Sequence, residues 1–68
     1  MEIKEVLARV GYVRSQAKLS ARELSFRIGM SSQYIAQIES GRIVLTVERL
    51  LQILEVCDFS IESFLVQI

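Results

Sequence analysis

Few side chains in this 68-residue sequence are equipped for covalent chemistry. Histidine is absent, and the single cysteine, Cys57, stands among leucine and valine with no base to pair with it. A thiol becomes a nucleophile when a neighbouring base or cation lowers its pKa, so Cys57 reads as a small core side chain. The same counts starve a zinc site of ligands and leave no partner for an internal disulfide. The eight carboxylates are dispersed and no glycine-rich phosphate loop occurs, so neither an enzyme nor a metal or cofactor is expected. What remains are groups that bind: the amides of Gln33 and Gln37, four positions apart, and guanidinium groups such as Arg14 and Arg42.

The elements that must hold those groups fit within one domain, 1–68, which on folding removes only about 60% of the unfolded chain's surface. With 51% hydrophobic residues, 24% charged residues and no proline, the composition is that of a folded, mostly helical chain. Its mean hydropathy of +0.39 is high for so small a monomer and points to apolar surface covered by a second copy. The formal net charge is zero, but it is unevenly spread. Residues 1–30 carry six cations against three carboxylates, a net of +3, and residues 31–68 carry two cations against five acids, a net of −3. Glu2, Lys4 and Glu5 occupy the place of a secretory signal's apolar segment, and no uncharged run approaches membrane-spanning length. The expected location is the reducing cytoplasm, with no membrane partner.

A recurring pattern sets the helix starts: an apolar residue, then Ser or Thr, then three residues, then another apolar residue. It occurs at Leu19-Ser20 with Leu24, Met30-Ser31 with Ile35, Leu45-Thr46 with Leu50, and Phe59-Ser60 with Phe64. Each hydroxyl can accept from an orphan N–H of the first turn, while the apolar pair closes as a staple. Glu23, three residues after Ser20, completes a capping box. Gly29 and Gly41 fall where the second and third helices should stop. An earlier helix follows from the stripe Ile3, Val6, Leu7, Val10, Val13 and Ala17, weakened by Gly11. The fourth presents Val47, Leu50, Leu51, Leu54 and Cys57 on one side, and the fifth presents Ile61, Phe64, Leu65 and Ile68. No period-two alternation is long enough for a sheet, so the expectation is an all-α, five-helix bundle.

The short link Gly29-Met30-Ser31 between the second and third helices is what a helix-turn-helix requires. The stretch Leu19-Ser20-Ala21-Arg22-Glu23-Leu24-Ser25-Phe26-Arg27-Ile28-Gly29-Met30-Ser31-Ser32-Gln33-Tyr34-Ile35-Ala36-Gln37-Ile38-Glu39-Ser40-Gly41 resembles the core of the Cro/repressor-like (xenobiotic-response-element) helix-turn-helix family. The likeness extends outward through Val13-Arg14, Leu50-Leu51 and Ser60-Ile61. It implies that the third helix, Ser32 to Ser40, enters the major groove of double-stranded DNA while the second crosses the backbone. Base-reading positions fall on Ser32, Gln33 and Gln37, and the two amides project together in a way that suits bidentate contact with adenine. Phosphate positions fall on Arg14, Ser20, Ala21 and Arg42. Ile35 and Ile38 are the family's buried positions, and Arg14 with Glu39 matches a pair that often bridges the first and third helices. Tyr34 has two open roles: packing along the DNA backbone or a thymine methyl, or shielding the turn.

The sequence also departs from that family. Ala21 stands where many relatives carry a phosphate-contacting Gln, Ser25 where they carry Ala, and Ile43-Val44-Leu45 where a basic or Asn residue precedes Pro. The third helix has no Lys or Arg, so weak non-specific affinity and a shallow salt dependence are expected. A protein-interaction module that binds a regulatory partner through Ile43, Val44 and the C-terminal stripe is the alternative to a DNA-binding repressor. Since one helix reads too few base pairs, the DNA reading calls for a homodimer on a palindromic operator, with Phe59, Val66 and Ile68 as its interface. A phage, a plasmid or a bacterial chromosome would each be a fitting source.

Overall fold

The computed structural model describes residues 2–66, which hold five helices and no strand. They are α1 (Ile3–Gln16), α2 (Ala21–Arg27), α3 (Tyr34–Glu39), α4 (Val47–Val56) and α5 (Ile61–Val66), so the all-α five-helix expectation holds. Three of the four hydroxyl caps form as the pattern requires. Ser20 Oγ accepts from the Glu23 N–H at 3.0 Å, Thr46 Oγ1 from the Arg49 N–H at 3.1 Å, and Ser60 Oγ from the Ser63 N–H at 3.1 Å. In the capping box, the Ser20 N–H donates to the Glu23 carboxylate at 2.9 Å. A further box, Glu2 with Glu5, starts α1 and has no hydroxyl to announce it.

The fourth cap differs. The third helix begins at Tyr34, not Ser32, and Gln33 precedes it with φ −100° and ψ −2° and no side-chain cap bond. Residues 31–34 form a tight turn in which the Tyr34 N–H donates to the Ser31 carbonyl at 3.1 Å, so the backbone and not the Ser31 hydroxyl takes that donor. The next donor, the buried Ile35 N–H, is taken by Ser25 Oγ of α2 at 2.9 Å. A side chain ten positions away thus does what the local hydroxyl was expected to do.

The helix ends share one hydrogen-bond scheme. At the end of α3, the Gly41 N–H donates to the Ile38 carbonyl and the Arg42 N–H to the Gln37 carbonyl, a Schellman closure with Gly41 at φ +83°. Gly29, at φ +76°, closes α2 through the Phe26 and Ser25 carbonyls in the same way. α1 and α4 close likewise, but with Lys18 at φ +59° and Asp58 at φ +54° in the left-handed position. Three connections therefore read alike: a left-handed residue, an apolar residue and a serine, as in Lys18-Leu19-Ser20, Gly29-Met30-Ser31 and Asp58-Phe59-Ser60. The apolar residue packs against the core in each. The link from α3 to α4 is longer, and its Val44 lies 83% exposed.

These ends fold the helices around Val10, Val13, Leu24, Ile28, Ile35, Ile38, Ile53, Leu54, Cys57 and Phe64. α3 packs against both α2 and α1, and α2 against α4. Some faces depart from the expected stripes. In α4 the inward side is Leu50, Ile53, Leu54 and Cys57, while Val47 and Leu51 are exposed, because the spacing 50, 53, 54, 57 turns Ile53 inward and leaves Val47 and Leu51 at the stripe's edge. In α5 only Phe64 is buried; Ile61 and Leu65 are exposed, as is Ile3 at the start of α1. Cys57 is a buried free thiol whose pKa is raised by burial, in keeping with a core role. No helix is long and apolar enough to cross a membrane, among the described residues.

Candidate nucleic-acid interface

Because Ile35 and Ile38 are fully buried, the opposite side of α3 is turned outward. Gln33, Ala36, Gln37, Ser40 and Arg42 line an open groove of about 290 Å³ on that side. The Gln37 N–H donates to the Gln33 carbonyl at 3.0 Å, which places the two residues one turn apart on the same side. Arg42 enters the same groove from beyond the Schellman turn, where its own N–H is tied to the Gln37 carbonyl at 2.9 Å. Two neutral amides and one cation thus share one concavity. Ser32 lies in the turn before α3, half-buried and outside the residues that line the groove.

Arg14 is placed differently. Its Nε donates to Glu39 Oε2 at 2.8 Å, its Nη2 to Glu39 Oε1 at 3.1 Å, and its Nη1 to the Leu19 carbonyl at 3.2 Å. This two-pronged bridge between α1 and α3 raises the Arg14 pKa, first through the hydrogen bond to Glu39. All three guanidinium nitrogens are occupied within the chain, so Arg14 acts here as a strut. Glu39 sits at the C-terminal end of a helix, where a negative charge is disfavoured by the aligned peptide dipoles, and Arg14 offsets that charge. Gly11 makes the approach feasible: a Cβ at that position would meet Glu39 Oε1 at 3.2 Å. The glycine that weakened the sequence pattern of α1 leaves space for the bridge.

At the start of α2 the Ser20 hydroxyl and backbone N–H are both taken by Glu23. Those hydrogen bonds lower the Glu23 pKa and leave an ionised carboxylate at the helix start beside Ser20 and Ala21. Tyr34 faces α4. Its hydroxyl accepts from Arg49 Nε at 3.0 Å, and the Arg49 guanidinium carbon lies 5.1 Å from the ring centroid. Arg49 was not singled out from the sequence, and neither were the bridging role of Ser25 nor the clearance at Gly11. The mid-helix Gly11 and the hydroxyl of Ser25 are signals visible in the sequence, whereas two of the partners of Arg49 lie 15 and 19 positions away.

Of the residues expected at a dimer surface, Val66 is 83% exposed and Phe59 is half-buried against the core. Ile68 lies outside the described residues. The arrangement matches in outline what is known elsewhere: the helix-turn-helix family model covers residues 11–64, from the second half of α1 into α5. Neither the curated proteins nor the solved structures gave a match. With the tight α2–α3 corner, the buried Ile35 and Ile38 and a family match over most of its length, the chain belongs to the Cro/repressor-like helix-turn-helix family of DNA-binding regulators.

Proposed function

We propose that this protein is a sequence-specific regulator that binds double-stranded DNA as a homodimer on a palindromic operator and represses by occupying a promoter. The observation that carries this reading is the groove shared by Gln33, Gln37 and Arg42 on the outward side of α3. Two amides one turn apart can each both donate to and accept from an adenine edge, and the cation beside them suits the flanking phosphate. Ser32, in the turn that precedes α3 and outside the groove, is the third proposed base-reading position. Arg14, Ser20, Ala21 and Tyr34 complete the proposed backbone and positioning set, with Arg14 and Tyr34 acting through Glu39 and Arg49. Phe59, Val66 and Ile68 are the proposed contacts between protomers.

Selection of bound duplexes from a random pool tests the reading. The double variant Gln33→Ala with Gln37→Ala should lose its preference for the selected sequence by tenfold or more, roughly the value of one bidentate contact. Arg42→Ala should instead weaken binding to every duplex alike and flatten the salt dependence. No enrichment at low salt would sink the proposal. A second reading, the fold as a docking module for a regulatory protein, is favoured by one observation: Val44 and Val47 are exposed apolar residues beside the α3–α4 link. Recovery of a partner by wild type but not by Val44→Asp, with no duplex selected, would establish it.

A further inference from the structure

Six residues without a side-chain cap make a poor helix on their own, and α3 has neither an acid in its first turn nor a base in its last. Its first turn is held from outside. Ser25 of α2 accepts from the Ile35 N–H, and Arg49 of α4 holds Tyr34, the first residue of the helix. Each of the three Arg49 side-chain nitrogens makes a bond: Nε donates to the Tyr34 hydroxyl, Nη1 to Gln52 Oε1, and Nη2 to Met30 Sδ at 3.6 Å. Met30 belongs to the α2–α3 corner, so one guanidinium ties that corner, the first residue of α3 and the body of α4 together. Its plane also lies over the Tyr34 ring.

We propose that Arg49 is a positioning residue for DNA readout: it clamps Tyr34 and thereby fixes the angle at which α3 presents Gln33 and Gln37. This rests on the reading of α3 as the DNA-reading helix. A lysine keeps the charge but has one nitrogen in place of a planar fork, so it cannot reach the three acceptors that Nε, Nη1 and Nη2 meet from separate positions. A phosphate anchor at this position would tolerate lysine; a clamp does not.

The test compares Arg49→Lys, Arg49→Ala and Tyr34→Phe on the selected duplex and on a scrambled one, at a temperature where circular dichroism shows each variant folded. Arg49→Lys should lower the ratio of selected to scrambled binding about tenfold, and Tyr34→Phe should lower it in the same direction. The double variant Arg49→Lys with Tyr34→Phe should be no worse than Arg49→Lys alone, since both remove one interaction. The slope of affinity against salt should be unchanged in Arg49→Ala. If Arg49→Lys binds like wild type while Arg49→Ala loses affinity for both duplexes with a flatter slope, Arg49 is a phosphate anchor and the clamp is overturned. Hydrogen exchange gives a readout free of DNA: the Ile35 and Gln37 amides should exchange faster in Arg49→Lys while Val10 and Val13 do not change. Equal exchange at Ile35 and Gln37 would overturn the clamp. A wild type that selects no duplex would overturn the DNA reading instead, with the exchange result still deciding the clamp.

Discussion

At Ser25 one hydroxyl serves two helices. It donates to the Ala21 carbonyl at 2.7 Å within α2 and accepts from the buried Ile35 N–H at 2.9 Å at the start of α3. Replacing it with alanine removes the acceptor of a buried donor, so Ser25→Ala should cost about 1–3 kcal/mol of stability in urea titrations. Glu23 is the complementary case at the surface. Its folded pKa lies below the ordinary value of 4.5 because the carboxylate accepts from the Ser20 N–H and hydroxyl region of the cap. The unfolded chain therefore binds the proton more readily than the folded one. The contribution is complete above the unfolded pKa and disappears as pH falls through the folded value. Urea midpoints should accordingly fall more steeply on acidification in wild type than in Glu23→Gln, which keeps the cap but cannot titrate; identical pH curves would remove this role.

At the scale of elements, the helix ends carry the testable strain. Lys18 and Asp58 hold left-handed backbone angles that side-chain-bearing residues adopt at a cost, while Gly29 and Gly41 do the same job freely. Lys18→Gly should raise stability by about 0.5–1 kcal/mol, and a thermal melt of a domain this size should move upward by about 2–6 °C. A downward shift would show that the lysine side chain outweighs its backbone strain. These ends also show what the sequence could and could not reveal. Ser20, Thr46 and Ser60 were legible because a cap is a local event, written within four residues of the donor it satisfies. The start of α3 was not legible, because its acceptor comes from Ser25 and its clamp from Arg49, which are adjacent only in the folded chain. The site divides the same way: Gln33, Gln37 and Arg42 lie within ten residues and the Arg14–Glu39 bridge is one the family resemblance implies, whereas the hold of Ser25 and Arg49 on α3 joins residues distant in the sequence. The α4 face differs at Val47 and Leu51 for a related reason, since six of the ten positions of that helix are apolar and packing decides which stripe turns inward.

For the whole molecule, the uneven charge and the apolar C-terminal end set the terms of assembly. Residues 1–30 are net positive and residues 31–68 net negative, so the zero total is a balance of two opposite charges. The proposed homodimer places its contacts at the far end of the chain, where Val66 is 83% exposed. Val66→Asp should shift sedimentation equilibrium toward monomer and lower operator affinity in parallel, because each protomer alone reads too few base pairs. A dimeric Val66→Asp protein with unaltered binding would move the interface elsewhere.

The external bracing of α3 has one more consequence. Two of its supports, Arg14 and Arg49, lie outside the corner formed by residues 20–41, one before it and one after it. A peptide cut to that corner would carry both glutamines and neither arginine, and segments so short rarely hold helical shape unaided in water. On the proposed reading, specificity would belong to the scaffold as much as to the amides, and grafting those amides onto another framework would transfer the letters without the hand that holds them still.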